Sequence, residues 1–379
     1  MIYFDNAATT PPLSQLTGLS ESVFGNPSSP HAIGISAERI LEKSRNSLRS
    51  VFKLDGNLIF TSGGTESNNL AILGFSLANK RLPVTIFSEP WEHPSILEPI
   101  GFAKEHFGFS TCIQPKENWT FADGINLICI SQVNHETGDI NDISAIAQKI
   151  KLQNPSSIIF VDGAQGACKD FIDFTFVDMY SFSGHKIHSP TGVGVLCTRK
   201  RLRILPLFHG GGQEKNLRPG TENLDGITKM SYAVDFLFSH QEVNRAHVSK
   251  IKGIISNISN ELPNVYINAR NDIDKVSPYI LNMSFTGIKG ETLVHMLSEK
   301  GICASMGAAC RSRKKVKTTL EQMGFNVARA ESAIRFSFSH LNTIEEATHA
   351  KEIIIDCVSQ LRRILGTGDY NGNKKSFTR

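Results

Sequence analysis

The sequence has few features of a secreted, membrane-bound or metal-stabilised protein. Its seven cysteines, at positions 112, 129, 168, 197, 303, 310 and 357, are odd in number, scattered, and include no C-x-x-C pair. This argues against a disulfide framework or a structural zinc site. No run approaches the ~20 apolar residues of a membrane span. The start MIYFDNAATT has neither the basic nor the apolar segment of a secretory signal, so we expect the mature protein to begin there. We therefore expect reduced thiols, no membrane contact and a cytoplasmic location.

The sequence also has little net charge. The formal net charge is only +4 over 379 residues, and the basic residues are mostly dispersed. Because a nucleic-acid groove needs cations clustered on one face, direct contact with nucleic acid is not favoured. Local basic clusters occur only at 311–317 and in the tail at Lys374, Lys375 and Arg379. The hydrophobic content of 40% and charged content of 20% are ordinary for a globular protein. The length predicts two domains.

Short apolar runs alternate with helical stretches between about residues 57 and 200. NLIFTS, VTIFSE, INLICIS and SSIIFVD are separated by ESNNLAILGFSLA, a helix from about Ser95, and ISAIAQKIK. Unbroken apolar strands between helices predict a mostly parallel sheet covered on both faces. From about 246 the pattern changes to a smaller α+β arrangement. We predict a large α/β domain at 15–245 and a small domain formed by 1–14 and 246–379.

Polar residues directly follow the predicted strands, where sites in parallel sheets lie. Asp162 follows a buried strand, and Lys186 lies in SFSGHK one segment later. An acid at the end of a buried strand needs a partner, so the two residues could form a structural ion pair. Alternatively, lysine can carry pyridoxal phosphate as a Schiff base while an aspartate holds its pyridine nitrogen protonated. The glycine-rich SGGTE before a predicted helix favours this alternative, because such a loop can bind phosphate, although it could equally be an ordinary capped helix.

Four further residues allow both a structural and a chemical interpretation. His93 follows a strand and could stack over a flat cofactor, although single histidines are usually satisfied loop residues. Arg335 lies in the strand AIRFSFS, where its forked cation suits either a substrate carboxylate or a surface ion pair. His185 and His188 have a loose metal-like spacing, but no nearby ligand completes a shell, so we predict no metal.

The cysteine in AACRSRKKVK, Cys310, is followed by five basic residues. A cysteine beside alanine and glycine is usually a small buried hydrophobe. Nearby positive charge stabilises a thiolate, however, and so favours a reactive thiol.

Eight motifs occur in the order found in one known enzyme family. They are DNAAT (5–9), TSGGTESNN (61–69), EHPS (92–95), VDGAQ (161–165), SFSGHK (181–186), GGGQE with RPGTEN (210–223), SMGAAC (305–310) and IRFS (334–337). In these motifs the chain resembles the NifS/IscS-like cysteine desulfurases of the class V aminotransferase group, from Asp5 to about Leu365. These are fold-type I enzymes that use pyridoxal phosphate. The resemblance implies a large domain with a mostly parallel, seven-stranded-type α/β sheet and a smaller α+β domain.

The resemblance also implies a role for each matching residue. Lys186 would carry the cofactor, Asp162 would contact its pyridine nitrogen, and Gln165 its phenolic oxygen. His93 would stack on the ring and act as acid or base. The remaining cofactor contacts would lie around the phosphate, with Thr221 reaching the phosphate of the other subunit of a homodimer; they are Gly64, Thr65, Ser183, His185 and Thr221.

On the substrate side, the resemblance implies that Arg335 holds the carboxylate of L-cysteine. Cys310 would be the nucleophile that attacks the substrate sulfur, leaving L-alanine and an enzyme persulfide. That sulfur would serve iron–sulfur cluster assembly or the thiolation of tRNA or cofactors. The basic segment 311–317 could activate the thiolate, dock an acidic sulfur-acceptor protein, or remain a solvated cationic loop.

The chain departs from the family pattern VNNEIG at VNHETG, where His135 replaces the second asparagine and Asn134 precedes it. The family residue contacts cofactor and substrate, and histidine can still donate a hydrogen bond, so we expect His135 to contact both and Asn134 to contact the substrate. The change leaves selenocysteine lyase, or a related C–S lyase, as an alternative activity. A catalytically silent scaffold partner with the same fold is the non-enzyme alternative.

Overall fold

The computed structural model describes residues 1–121, 123–272, 275–306 and 317–366, and only the backbone of 20–22. The helices are α1 (Ala32–Phe52), α2 (Gly64–Asn69), α3 (Phe75–Ala78), α4 (Pro94–Phe107), α5 (Ile143–Gln153), α6 (Leu224–Ser239), α7 (Gln241–Ser256), α8 (Ile258–Glu261), α9 (Gly290–Glu299), α10 (Thr319–Gln322), α11 (Val327–Glu331) and α12 (Ile344–Leu365). The strands are β1 (Ile2–Tyr3), β2 (Leu58–Thr61), β3 (Val84–Ser88), β4 (Ser110–Ile113), β5 (Ile125–Ser131), β6 (Ile158–Asp162), β7 (Met179–Ser183), β8 (Gly194–Thr198), β9 (Val265–Ile267), β10 (Ile280–Phe285), β11 (Ile302–Cys303) and β12 (Ala333–Ser337).

Seven of these strands form one large sheet in the order β2-β8-β7-β6-β5-β3-β4. Five neighbouring strands are parallel, namely β3, β4, β5, β6 and β7. Strand β8 is antiparallel to both of its neighbours, β7 and β2. Helices α1, α5 and α6 pack on one face, and α2 to α4 pack on the other. Because both faces are covered, β6, β7 and β8 consist entirely of buried residues. The predicted mostly parallel α/β sheet is confirmed.

A second core lies over a three-stranded antiparallel sheet in the order β12-β10-β9. Helices α7, α9 and α12 contribute its apolar side chains, together with Ile2 and Phe4 from the start of the chain. Strand β1 pairs in parallel with β11, which ties the N-terminal arm to this second core. None of the helices in the described ranges combines the length and the hydropathy that a membrane-spanning helix requires.

The ends of several strands meet at one edge of the large sheet. Thr61, the last residue of β2, and Ser183, the last of β7, both lie opposite Gly194 at the start of β8. Ser131, the last residue of β5, lies opposite Asp162, the last of β6. The segments that follow these strands therefore converge, as expected for a site outside the carboxyl ends of an α/β sheet.

The helical run that follows β2 is not uniformly α-helical. Between α2 and α3, Leu70–Gly74 form a π-helical segment, and all five residues are buried. The carbonyl of Gly74 accepts a hydrogen bond from Leu205 N at 3.0 Å, and a Cβ on Gly74 would lie 2.6 Å from the carbonyl oxygen of Leu205. The wider turn thus coincides with a close backbone approach that only glycine permits. Segments of this kind often occur near functional sites.

Candidate active site

Lys186 lies at the carboxyl edge of the large sheet, in the 3₁₀ turn Gly184–Lys186 that follows β7. Its Nζ donates hydrogen bonds to the carbonyl oxygens of Ala7 and Ala8, the latter at 2.6 Å. The N-terminal arm therefore passes directly over the lysine. Thr10 N and Oγ1 donate to His185 O at 2.8 and 2.9 Å, which fixes the arm against the same turn.

The amine of Lys186 is unusually easy to deprotonate. Burial, reinforced by the positive charges of Lys169 and Arg335, lowers the pKa of Lys186 to about 7, against the smaller opposing effects of Asp5 and Asp162. A lysine with such a pKa is partly unprotonated at neutral pH, and an unprotonated amine is the nucleophilic form. Strongly perturbed pKa values of this kind concentrate at functional sites.

Asp162 lies at the end of β6 and is buried. Its Oδ1 accepts a hydrogen bond from Ala164 N, and its Oδ2 accepts one from Asn68 Nδ2, both at 2.8 Å. Hydrogen bonds of this type favour the charged carboxylate. Gln165 lies three residues later and is also buried. Its Nε2 donates to Ala7 O at 2.9 Å, whereas its Oε1 is a buried atom without a hydrogen-bond partner among the described residues.

The glycine-rich loop faces the lysine turn. Gly63 precedes α2 and, as a glycine, has no side chain that could cap the helix. A Cβ on Gly64 would lie 3.4 Å from Ser183 Cβ, so the loop and the end of β7 are close together. Thr65 is the second residue of α2. The N–H groups at the start of α2 have no side-chain cap and therefore suit an anion. We call Gly63, Gly64, Thr65 and the adjacent Ser183 the glycine-rich corner.

Two other predicted phosphate contacts flank this corner. His185 Nδ1 lies 3.2 Å from Thr9 Oγ1. Burial and the charges of Lys186 and Lys169 lower the pKa of His185 to about 4, so the ring is neutral at pH 7. Thr221 is exposed, in a segment whose Arg218 pairs with Glu66 of α2 at 3.0 Å. The RPGTEN segment is thereby tied to the glycine-rich corner.

His93 and His135 meet edge to face, with ring centroids 5.2 Å apart. His93 precedes α4, and its Nδ1 accepts a hydrogen bond from Ser95 N at 3.1 Å. Burial, followed by the charges of His93, Arg335 and Lys186, lowers the pKa of His135 well below its ordinary value. His135 is therefore a neutral ring with one N–H to donate.

The side chain of Asn134 is hydrogen-bonded to the backbone and side chains of its own and a neighbouring loop. Its Oδ1 accepts from Glu136 N, Thr137 N and Thr137 Oγ1 at 2.9 to 3.2 Å, and its Nδ2 donates to Trp91 O at 3.5 Å. These bonds close the turn after β5. The predicted substrate contact of Asn134 stays a prediction, but its side chain is already engaged in this turn.

Arg335 is buried on β12, which excludes the surface ion pair that its sequence allowed. Its Nη1 donates to His135 O at 2.8 Å and lies 3.6 Å from Glu136 Oε1, and its Nη2 lies 3.4 Å from Asp5 Oδ1. Its Nε is buried without a hydrogen-bond partner in the described part of the chain. An arginine with an unmet donor beside Lys186 suits an anionic group of a small molecule.

Cys310 and most of the basic segment lie outside the described residues. Among the described cysteines, three are buried thiols of the large sheet region. Burial raises the pKa of Cys168 and Cys197 to about 12, and that of Cys129 well above the ordinary value. Such thiols are poor nucleophiles. No group of three or more metal-ligating side chains occurs within the described ranges.

Sequence reasoning assigned no role to two residues of this site. Asn68 is buried, and its amide contacts Asp162 and Ser95. Glu92 is also buried, and burial together with the charges of Glu89 and Asp162 raises its pKa to about 8. Both lie within the motifs TSGGTESNN and EHPS, but the sequence does not show whether an amide or carboxyl side chain at these positions is buried or exposed.

A protein-family model, aminotransferase class-V, matches residues 2–349. A NifS/IcsS protein homolog from Lactobacillus delbrueckii subsp. bulgaricus is 37% identical over 365 residues, covering 92% of this chain and 94% of the relative. The cysteine desulfurase IscS of Buchnera aphidicola subsp. Acyrthosiphon pisum is 34% identical over 391 residues, covering 96% and 94%.

A solved structure of a NifS-like protein superposes with a TM-score of 0.86 at 30% identity, covering 95% of this chain and 100% of that chain. These likenesses span the large sheet, the small sheet and the N-terminal arm. The chain therefore belongs to the class-V aminotransferase family and, within it, to the NifS/IscS cysteine desulfurases.

Proposed function

We propose that the protein uses pyridoxal 5'-phosphate, bound at Lys186, to remove sulfur from L-cysteine, and that Cys310 receives this sulfur as a persulfide. The observation that carries the proposal is the convergence of Lys186, Asp162, Gln165 and Arg335 at one sheet edge. Membership of a family that generally depends on this cofactor supports it.

The residues present fit this cofactor. The lysine has a lowered pKa of about 7, as a covalent attachment site requires. The buried Gln165 Oε1 has no hydrogen-bond partner among the described residues, which suits a polar group of a ligand. The uncapped start of α2 beside Ser183 suits a phosphate. Gly64, Thr65, Ser183 and His185 would hold the phosphate, and Asp162 would face the pyridine nitrogen.

When bound, pyridoxal phosphate supplies an electron sink for the bonds that change at the α-carbon of an amino acid. The other tasks belong to the chain itself. Arg335 would hold the substrate carboxylate with its forked guanidinium. The Nζ of Lys186 would hold a proton and return it, which its pKa near neutrality permits. His93 would act as an acid or base beside the cofactor, and the neutral His135 would contact cofactor and substrate.

The sulfur transfer balances without an added oxidant. The thiolate of Cys310 would form a bond to the substrate sulfur while the bond between that sulfur and the β-carbon breaks, and the β-carbon would take up a proton. The net change is L-cysteine plus enzyme thiol to L-alanine plus enzyme persulfide. A thiol reductant would then release sulfide and restore the enzyme.

A homodimer, a cytoplasmic location and a protein sulfur acceptor complete the proposal. Thr221 is exposed and lies in a segment tied to the glycine-rich corner, which is compatible with a contact to another subunit's phosphate. The scattered cysteines are compatible with a reducing compartment. The basic segment 311–317 follows Cys310 directly, so an acidic acceptor surface could reach the persulfide.

Alanine production from L-cysteine with a thiol reductant tests the function. We expect the native protein to turn over, and Cys310→Ala to lose turnover while keeping the visible absorbance of the bound cofactor, because only the sulfur acceptor is removed. After cysteine is supplied without reductant, mass spectrometry should find one added sulfur atom on the peptide that contains Cys310.

Cys112→Ala is the matched control, since Cys112 lies on β4 at the far edge of the large sheet. It should retain the native rate. Undiminished turnover in Cys310→Ala would refute the nucleophile role, and a native protein that makes no alanine would refute the function. Rates on selenocysteine beside those on cysteine would decide between the desulfurase and the selenocysteine lyase.

A further inference from the structure

A buried amide connects the residues that would surround the cofactor ring. Asn68 is only 1% exposed and lies in the last turn of α2, directly before the π-helical segment Leu70–Gly74. Its Nδ2 donates to Asp162 Oδ2 and to Ser95 Oγ, both at 2.8 Å. Its Oδ1 accepts from Ser181 Oγ at 2.6 Å. The side chain thus uses both of its N–H donors and its oxygen inside the protein.

These contacts determine the orientation of the amide. The carboxylate of Asp162 can only accept, so the Asn68 atom that faces it must be the nitrogen. Ser181, on β7 opposite Asp162, then donates to the remaining oxygen. Because three partners on β6, β7 and α4 hold one short side chain, Asn68 has little freedom to rotate away from Asp162.

The hydrogen bonds continue to His93. Ser95 Oγ lies 2.8 Å from His93 Nδ1, and Ser95 N donates to the same nitrogen at 3.1 Å. A ring nitrogen that accepts a backbone N–H carries a lone pair and no proton. The neutral His93 ring therefore has its proton on Nε2. A continuous chain of hydrogen bonds joins Asp162, Asn68, Ser95 and His93.

The same neighbourhood contains a second buried carboxyl, Glu92. Its Oε1 accepts from Ser131 N at 3.0 Å and from Ser131 Oγ at 3.2 Å, and its Oε2 is buried without a partner in the described residues. Asp162, in contrast, has a donor on each oxygen. The two neighbouring buried carboxyls therefore differ in how their oxygens are hydrogen-bonded: both oxygens of Asp162 have a donor, and only one oxygen of Glu92 does. Asn68 is the side chain that makes this difference.

We propose that Asn68 is a positioning residue that holds the Asp162 carboxylate in the orientation in which it would face the cofactor's pyridine nitrogen, and that it ties Asp162 to His93 through Ser95. This inference rests on the proposed cofactor. Without the Asn68 donor, Oδ2 of Asp162 loses its hydrogen bond and the carboxylate can turn away from the pyridine nitrogen. The pyridine nitrogen would then lose the carboxylate that stabilises its protonated form.

The test uses holoprotein loaded with pyridoxal phosphate labelled with ¹⁵N in the ring, and it compares the native protein with Asn68→Ala. We expect the ring-nitrogen resonance of the variant to move toward that of unprotonated pyridine. We also expect the dissociation constant of the cofactor to rise roughly tenfold or more, as for a buried charged acceptor that loses a donor. The control is Asn79→Ala, because Asn79 bonds Phe75 O at the end of the same helical run, away from Asp162.

Ser181→Ala is the second variant, and it loosens Asn68 while leaving its bond to Asp162. It should move the resonance in the same direction by less. A resonance and a dissociation constant in Asn68→Ala within twofold of those in Asn79→Ala would overturn the proposal, even if the melting temperature falls. If Asn68→Ala does not fold, an unmoved resonance in Ser181→Ala overturns it. These measurements need no cysteine, so a failure of the desulfurase function alone would leave them unaffected.

Discussion

At the scale of single residues, the positive charges around Lys186 lower the pKa of its amine. Lys169 is buried in the segment after β6, and burial lowers its own pKa to about 8. Its charge is the largest influence after burial on the pKa of Lys186. A second buried lysine near the first costs stability. In return it keeps the Lys186 amine nucleophilic near pH 7.

We therefore expect apoprotein to capture pyridoxal phosphate at a rate that rises with pH through about 7 and then levels off. The reason is that only unprotonated Lys186 reacts, and its lowered pKa of about 7 places that form within the neutral range. An ordinary lysine would give a rise near pH ~10. Stopped-flow absorbance of cofactor binding, recorded from pH 5.5 to 9, measures this profile.

Lys169→Gln should move the rise to higher pH, since it removes a positive charge that disfavours protonated Lys186. Lys149→Gln, on the exposed side of α5, is the control and should leave the profile unchanged. A profile that Lys169→Gln does not move would show that Lys169 does not lower the pKa of Lys186.

Sequence reasoning found most of the site residues that follow strands and assigned no role to Asn68 or Glu92. Asp162 and Lys186 could be predicted because polar residues at the ends of buried strands meet at one sheet edge. Asn68 could not, because its contacts come from β6, β7 and α4, which are distant in the chain. The burial of Glu92 likewise depends on Ser131, 39 residues away. Amide and carboxyl side chains in such places look like surface residues in a sequence.

At the scale of elements, the turn Gln213–Asn216 has an unusual backbone. Glu214, Lys215 and Asn216 are all left-handed, with φ of 47°, 56° and 63°. Such a conformation costs roughly 1–2 kcal/mol for each residue other than glycine. Something must therefore hold the turn in place.

The buried carboxylate of Glu214 supplies that hold. Its two oxygens accept from Arg45 Nη1 and Nη2 at 2.9 and 2.7 Å, and Oε2 also accepts from Phe60 N at 3.0 Å. Arg45 Nη1 also donates to Leu58 O at 2.5 Å. Phe60 and Leu58 lie on β2, the edge strand of the large sheet. The ion pair thus satisfies backbone groups that an edge strand would otherwise expose to pairing with another chain.

Glu214→Gln should lower the free energy of unfolding by roughly 3 kcal/mol, because it leaves the buried Arg45 with only the half-exposed Glu42 as counter-charge. Urea unfolding followed by circular dichroism measures the change. Lys215→Gly is the matched variant of opposite sign, since Lys215 is exposed and glycine relieves its left-handed strain. It should stabilise the protein by up to about 1 kcal/mol. A Glu214→Gln protein as stable as the native one would mean that the ion pair does not hold the turn.

Strands were easier to predict than their order. The apolar runs of β3, β5 and β6 indicated buried strands because both faces of the sheet are covered. The antiparallel insertion of β8 between β2 and β7 leaves no comparable signal, since the pairing of Gly194 with Thr61 joins residues 133 positions apart. The π-helical segment is also invisible in the sequence, because it depends on the approach of Leu205 to Gly74.

At the scale of the whole molecule, the N-terminal arm links the two cores. Ile2 and Phe4 pack in the second core, while Ala7 and Ala8 accept hydrogen bonds from Lys186 beside the large sheet. The predicted division into 15–245 and 1–14 with 246–379 stays a prediction. The arm shows why a boundary is hard to read from sequence, since residues a few positions apart contact different sheets.

Four histidines gather where the arm, α6, α7 and the segment after β12 meet. The rings of His188 and His340 are 4.7 Å apart, and His240 stacks on Phe236, which also contacts His340. His247 Nε2 bonds Asn342 O at 2.8 Å. Burial and the neighbouring charge of His340 lower the pKa of His188 to about 3. Burial, His247 and His240 lower the pKa of His340 to about 4.

These shifts predict a loss of stability in mild acid. Above the unfolded pKa of about 6.5, the rings are neutral in both states and cost nothing. Between about pH 6.5 and 4 the unfolded chain binds protons that the folded protein refuses, so the free energy of unfolding falls as pH falls. His340→Phe keeps a ring in place but removes one of these titrations. The fall in the urea midpoint from pH 7.5 to 5 should therefore be smaller in His340→Phe than in the native protein.

His349→Phe, on the exposed side of α12, is the control, and it should lose as much stability as the native protein over this range. An equal loss in all three proteins would place the acid sensitivity elsewhere, for example in the carboxylates. A smaller loss in His340→Phe alone would locate it at the junction of the two cores.

Because His188 lies two residues after Lys186 and Leu13 N donates to His188 O at 3.0 Å, protonation of this cluster would also loosen the arm over the lysine. Acid should then release the cofactor before the sheets unfold, which visible absorbance and circular dichroism recorded on the same sample would reveal.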